Sequence, residues 1–450
     1  MEAFGSNLGT FAPKKQRRAN KPVCLIVGLV ALLLWSAAPG QAAPYSQSAP
    51  QISELILGPS GEGRPVTALK IGGGPRKFVL VGNTHGGPEA NTFALVSQLA
   101  EHFRANPAEV PAGVRLYIIP TLNPDGLALG TRFNARGVDL NRNMDTTTDA
   151  CPENDWNIHV QGAYGIESDT GGPFAESEAE SQLIRDFLLD ASGVIFFHSS
   201  GGDVFPAFCE HAPSIAMAQT YAAATGYQYD RFWPNYMITG GMHDWAGGLG
   251  IAAITPELAS GDQPEFEQNL AGVRALLADP ERLLPLPEDR TEGGVVVPAL
   301  IWRFWKSHGA AAQLGMPLAP AERVGGRVRQ FFTSALLELD PAQADTPQLV
   351  QPAPLGRLAL GDQPPEGSPA LREAFLAHWQ QHDGVLLLGA PLADERPARA
   401  ADGVVRIVQV FERGALAYYP EDGSSRPEPL GWAALVRERL LTSPAAQQIR

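Results

Sequence analysis

A chain of 450 residues is too long for one average domain and suits two or three. Its 44% apolar content provides for a sizeable core, and its 18% charged content is too low for a disordered chain. A formal charge of −14 repels phosphate backbones, so nucleic acid is not an expected partner.

The first segment carries a basic patch, Lys14-Lys-Gln-Arg-Arg18, then an apolar run over residues 23–35 and small residues over 36–43. The run is shorter than the ~20 residues a spanning helix needs, and its flanks are those of an export signal. Residues 1–43 are therefore expected to be a signal peptide and the protein secreted or extracytoplasmic. Membrane attachment would follow only if the segment stayed uncleaved. Cys24 would leave with it, and Cys151 and Cys209 would remain as a disulfide or as two buried thiols.

Residues 44–52 form a Pro/Ser/Gln-rich linker, and a first domain is expected over 53–283. Residues 66–71, 77–81, 114–119 and 194–197 have the β-branched, Gly- or Pro-bounded pattern of strands. A helix is predicted over residues 90–105, with Phe93, Leu95, Val96, Leu99 and Phe103 along one side, and a second over about 176–189. Strand–helix–strand alternation predicts an α/β sheet flanked by helices. Such sheets collect their sites in loops beyond the strands' carboxyl ends. His85, Asn123 and His198 each follow a predicted strand.

Residues 284–298 form a Pro/Glu/Gly-rich linker, and an internal repeat follows. Ile301-Trp-Arg-Phe-Trp-Lys-Ser-His308 and Leu314-Gly-Met-Pro-Leu318 recur as Phe375-Leu-Ala-His-Trp-Gln-Gln-His382 and Leu388-Gly-Ala-Pro-Leu392. Gln330 and Phe332 recur as Gln409 and Phe411, and Pro354-Leu-Gly356 as Pro429-Leu-Gly431. Two small modules are expected, 299–360 and 369–442, joined by a linker over 361–368. The period is longer than that of ordinary solenoids, which favours paired domains. Trp302, Phe304, Trp305, Trp379, Phe411, Tyr418 and Tyr419 would form either the modules' cores or a platform for an envelope or extracellular polymer.

The chemistry concentrates in the first domain. His85-Gly-Gly-Pro-Glu89 and His198 offer two nitrogens and one carboxylate, a set that leaves tetrahedral zinc an open position for water. Asn123-Pro-Asp-Gly126, Arg132 and Asp139-Leu-Asn-Arg-Asn143 add guanidinium and amide anchors, and Tyr236 and Glu257 a phenol and a second carboxylate. A planar guanidinium binds a carboxylate bidentately, as an exopeptidase requires. No His-Glu-x-x-His helix, Gly-x-Ser-x-Gly elbow or dinucleotide glycine fingerprint occurs.

The order of these motifs over residues 53–277 resembles the zinc carboxypeptidase family, the metallocarboxypeptidases typified by the pancreatic digestive enzymes. The resemblance implies a mixed twisted sheet of about eight strands flanked by helices, and one zinc ion held by His85, Glu89 and His198. It implies that Arg132 polarises the scissile carbonyl and that Asn141 and Arg142 clamp the substrate's terminal carboxylate. Tyr236 matches the family's mobile tyrosine and Glu257 its general base. His243 falls at the floor of the pocket for the terminal side chain. One spacing departs from the pattern: the family sets its first His and Glu three apart, and Gly86-Gly-Pro88 makes it four here. The implied activity is hydrolysis of C-terminal peptide bonds. Cleavage of cell-wall stem peptides by the same site and an inert surface-binding protein are the alternatives.

Overall fold

The computed structural model describes residues 51–450 apart from 163–165, 361–368, 401 and 443–450. The expected signal peptide, most of the linker after it and the expected linker 361–368 lie outside the described residues.

The first half runs β1 (Ile52–Pro59), β2 (Pro65–Gly72), β3 (Arg76–Val81), α1 (Ala90–Ala105), β4 (Val114–Ile119), α2 (Pro124–Leu129) and α3 (Ala179–Phe187). It continues through β5 (Ala191–Phe196), β6 (His198–Ser199), β7 (Asp203–Pro206), α4 (Ala212–Thr225), β8 (Gln228–Tyr229), α5 (Met242–Gly248), β9 (Ala252–Leu258) and α6 (Phe266–Leu277). The strands form one mixed sheet in the order β1-β2-β4-β3-β5-β9-β7-β8, with β6 also paired to β9. The central strands β4, β3, β5 and β9 run parallel. This is the expected mixed sheet flanked by helices.

Both faces of the central strands are covered, so residues 78–81 of β3 are a continuous apolar run rather than an alternation. Phe78 and Leu80 pack with Leu95, Leu99 and Phe103 of α1 and with Tyr221 and Val273 of α4 and α6. Val79 and Val81 face the opposite layer, with Ile184 and Phe187 of α3 and Trp245 of α5. The predicted helix over 176–189 starts three residues late. Glu176 sits at φ 58° and Glu178 is extended, so neither can join a right-handed turn. The predicted strand 194–197 starts earlier, at Ala191, and stops at Phe196.

Residues 284–298 are more than a linker. Arg290–Glu292 pairs antiparallel with Val295–Val297. The first module then has α7 (Ala299–Ser307), β10 (Glu322–Val324), β11 (Arg327–Phe331), β12 (Leu336–Leu339), β13 (Val350–Pro352) and α8 (Leu355–Leu360). The second has α9 (Glu373–Gln381), β14 (Arg396–Arg399), β15 (Val405–Val410), β16 (Ala415–Tyr419), β17 (Ser424–Pro427) and α10 (Gly431–Thr442). Each set of four strands is an antiparallel meander.

The repeated residues perform the same task twice. Trp305 donates its indole N–H to Gly315 O at 2.7 Å, and Trp379 to Gly389 O at 3.1 Å. The Gln330 amide reaches Ala319 O, and Gln409 the matching Ala393 O. Phe304, Trp305 and Phe411 are buried and build the cores, whereas Trp302, Trp379, Tyr418 and Tyr419 are half-buried. The modules also exchange their last segments. A Cβ on Gly356 would lie 1.8 Å from Phe411 O, and one on Gly431 1.9 Å from Phe332 O. Ala434 and Leu435 of α10 pack with Phe331 and Leu336 of the first module. Arg303 on α7 ties that module to the first half, donating to the carbonyls of Leu189, Ala191, Leu249 and Gly250.

Candidate active site

The parallel order of the sheet brings the suggestive loops to one place. His85 lies in the loop after β3, and Glu89 ends the 3-10 turn Gly87–Glu89 that leads into α1. His198 opens β6, where it is the register partner of Glu257 on β9. Asn123 caps α2 by accepting from Gly126 N at 2.8 Å, and Pro124 fills the first turn, where no N–H is needed.

Three buried side chains converge. His85 Nδ1 lies 2.6 Å from Glu89 Oε1, and His198 Nδ1 lies 3.0 Å from both Glu89 Oε2 and His85 Nδ1. The four-residue spacing therefore still delivers Glu89. Gly86 and Gly87 absorb the extra residue by pressing against the end of α2. A Cβ on Gly86 would lie 2.1 Å from Thr131 O, and one on Gly87 2.4 Å from Gly130 C.

The two imidazoles bring their Nδ1 atoms to 3.0 Å from each other, and the Glu89 carboxylate completes the triangle. Asp139 Oδ1 stands 2.9 Å from His85 Nε2. Occupying that nitrogen as a donor leaves the Nδ1 lone pair aimed at the triangle's centre, as metal-bound histidines require. Burial opposes ionisation of Glu89, but His85 and His198 override it and hold its carboxyl far below the usual range. The donor set and its buried geometry fit a divalent cation such as zinc.

Around this triangle stand the other expected residues. Arg132 donates Nε to Asp139 Oδ2 at 2.9 Å and lies 3.3 Å from Glu89 Oε1. Burial favours its neutral form, but Asp139 and then Glu89 keep the guanidinium firmly charged. Arg142 is 2% exposed and, among the described residues, donates only to main-chain oxygens, of Asn141 at 2.8 Å and Gln161 at 3.2 Å. Among the described residues no ion pair involves it. Asn141 Oδ1 accepts from Met242 N at 2.9 Å.

A cleft of about 310 Å³ opens beside these groups, lined by Asn141, Tyr236, His243, Asp244 and Glu257, with aromatic walls from Phe205 and Trp233. Tyr236 lies with its ring 5.9 Å from the Arg142 guanidinium carbon. Among the described residues His243 Nδ1 has no hydrogen-bond partner, and burial pushes its pKa down against the pull of Asp244. Desolvation in the cleft pushes the Glu257 carboxyl up to about 7, with His198 opposing and Glu89 reinforcing the shift. Cys151 and Cys209 are joined in a disulfide next to Phe208 of the cleft wall.

Residues 43–291, over half of the chain, match the zinc carboxypeptidase family. The chain belongs to that family. Zinc carboxypeptidases are zinc-dependent metallopeptidases, which accords with the buried His85, Glu89 and His198 triangle. The chain is 26% identical over 287 residues to carboxypeptidase B of Astacus astacus, covering 54% of this chain and 87% of that protein. It is 30% identical over 112 residues to carboxypeptidase SOL1 of Arabidopsis thaliana, 22% of this chain, and spans only 23% of that protein's length. Murein peptide amidase A of Escherichia coli K12 is 26% identical over 216 residues, 47% of this chain and 81% of the amidase. The solved structure of the murein-tripeptide amidase from Escherichia coli O157 is 22% identical, covers 50% of this chain and 91% of its own, and has a TM-score of 0.38.

Asp139 is the residue that motif reading undervalued. It holds His85 Nε2 and Arg132 Nε together and also caps the turn Leu140–Arg142 by accepting from Asn141 N at 3.0 Å. The signal was present as an acid ahead of the Asn-Arg pair. Its reach to His85 depends on the loops after β3 and β4 meeting above neighbouring strands.

Proposed function

We propose that this zinc carboxypeptidase family member is a secreted exopeptidase that removes residues from peptide C-termini. The observation that carries the reading is Arg142, a buried guanidinium beside the metal triangle that forms no ion pair among the described residues. A buried charge without a partner is costly, and a substrate's terminal carboxylate would supply one. Asn141 on the same turn would help to fix that carboxylate.

Zinc held by His85, Glu89 and His198 would acidify water and polarise a carbonyl. Arg132, already oriented by Asp139, would share the negative charge that grows on the carbonyl oxygen. Glu257 would take a proton from the attacking water and return it to the amide nitrogen as the C–N bond breaks, so the amine leaves neutral. Tyr236 would close the cleft beside the terminal residue. The walls formed by Phe205, Trp233 and Ile238, with His243 at the floor, favour an aromatic or large apolar terminal side chain.

The similarity to murein peptide amidase A supports a second reading, cleavage of cell-wall stem peptides by the same residues. Blocked dipeptides with a free and with an amidated C-terminus test the first. Amidation should abolish turnover, and Arg142→Ala should lower kcat/KM on the free acid by on the order of 10²-fold or more. Equal rates on the two substrates would refute exopeptidase action, and cleavage of murein fragments alone would select the second reading. Export is checked by the N-terminus of the protein recovered outside the cytoplasm, which should lie near residue 44.

A further inference from the structure

Away from the catalytic cleft, a cavity of about 380 Å³ lies where the first half meets both modules. Arg185 on α3 is its focus. The guanidinium donates to Glu176 Oε2 at 2.7 Å, to Asp186 at 2.8 and 3.1 Å, and to Asp383 Oδ2 at 2.7 Å. Asp145 adds a fourth carboxylate, close enough to act on both Glu176 and His382. One permanent cation therefore faces four acids. The imidazoles present do not redress the balance. Burial, and then Arg185, holds His308 toward neutrality despite Asp186, and burial does the same to His382 despite Asp145.

The excess is felt at Glu176. Glu176 is 6% exposed and lines the cavity, and among the described residues its Oε1 has no hydrogen-bond partner. Burial, reinforced by Asp145 and Asp186 and only partly offset by Arg185, pushes its carboxyl up to about 8. The repeat sharpens the point. Asp383 of the second module stands at φ 47° where the first module has Gly309 at φ 79°. A left-handed backbone is cheap for glycine and less so for aspartate, yet the second module keeps a carboxylate there and aims it at Arg185. A metal ion is a poor match. Among the described residues the possible ligand clusters are His85 with Glu89 and His198, and Asp149 with the disulfide sulfurs, and neither is here. Trp156 and Phe174 give the cavity apolar wall as well as charge.

We propose that this junction cavity binds an organic ammonium cation carried on an apolar stem, with Glu176, Asp145 and Asp383 receiving the charge and Trp156 and Phe174 the stem. The same chemistry is found in a lysine side chain of a peptide and in a free alkylamine. Occupancy would tie α3 to the matching corners of the two modules, independently of the peptidase reading.

Calorimetric titration of the full chain with hexylammonium, 1-hexanol and hexanoate tests the idea. Hexylammonium should bind at least tenfold more tightly than the other two. Its affinity should rise between about pH 7 and about pH 9, as Glu176 gives up its proton while the amine keeps its own. Glu176→Gln and Asp383→Asn should each weaken it by tenfold or more. Both variants keep hydrogen-bonding shape, and asparagine tolerates the left-handed backbone, so unchanged melting temperatures would show that each is folded. Binding of Nα-acetyl-lysine amide would point to a peptide side chain, and binding of hexylammonium alone to a free amine. Hexylammonium binding no better than 1-hexanol, or unaffected by both substitutions, would overturn the assignment.

Discussion

The catalytic cleft and the module pair both bury polar side chains, but to opposite ends. In the modules the repeated donors reach main-chain carbonyls, Trp305 and Trp379 on glycines and Gln330 and Gln409 on alanines. Of these repeated side chains only the two glutamine oxygens Oε1 are left without a partner among the described residues. In the cleft the groups stand unfinished. Among the described residues Arg142 forms no ion pair, His243 Nδ1 and His198 Nε2 have no hydrogen-bond partner, and the Glu257 carboxyl is pushed up to about 7. A satisfied polar group adds stability, whereas an unsatisfied one costs it and waits for something to bind. The comparison predicts a division of effects. Changes in the cleft should alter turnover with little loss of stability, and changes in the modules should do the reverse.

The largest effect is expected from Glu257→Gln. Removing a general base typically costs on the order of 10²–10⁴-fold in rate. The melting temperature should hold or rise, because the variant no longer ionises a desolvated carboxyl. Retained turnover in steady-state assays would break the proposed role, and a large fall in melting temperature would break the division. Asp139→Asn comes next. Losing the charge behind a ligand histidine typically costs about 10–100-fold in metal affinity. Competition with a chelator reads this directly, and an unchanged affinity would make Asp139 a mere turn cap. On the other side of the comparison stands Gly356→Ala. Its new Cβ would press on Phe411 O, and overpacking of this kind costs about 1–3 kcal/mol. Denaturant unfolding should record that loss while kcat/KM stays at the wild-type value.

How far the sequence disclosed this arrangement depends on the range of the interactions. Helix α1 was legible at both ends because Leu95, Val96, Leu99 and Phe103 carry a local period and one face is buried. The start of α3 was not, since the left-handed Glu176 is held by Arg185 from across a turn. The residues of the metal triangle were named from motif order, yet nothing local fixed their approach. His198 meets Glu257 only through the parallel pairing of β6 and β9, and Glu89 only through the close seating of Gly86 and Gly87 on α2. The repeat announced two modules. It gave no hint that Gly356 and Gly431 would each seat against the other module, because swapped and unswapped pairings bury the same residue types.

The smallest predicted effect separates the modules from each other. Position 378 holds a histidine where the first module has Phe304, and the difference has a sign that pH reveals. Burial, with His382 adding, pushes the His378 pKa down to about 4 against the hydrogen bond to Ser425 O. An unfolded histidine titrates near 6.5, so between these values the unfolded chain binds the extra proton. The contribution is therefore fully present above about pH 6.5 and is lost as pH falls toward about 4. Between about pH 7.5 and about pH 5 the loss amounts to about 2 kcal/mol. His378→Phe gives the second module the residue of the first and removes this titration. Other groups, including the equally depressed His211 of the first half, titrate alike in both proteins and cancel in the comparison. The variant should therefore lose less stability than wild type on acidification, by about that amount in paired denaturant titrations. Parallel pH profiles for the two proteins would mean that His378 titrates no differently folded than unfolded, and that the modules are alike in acid as they are in topology.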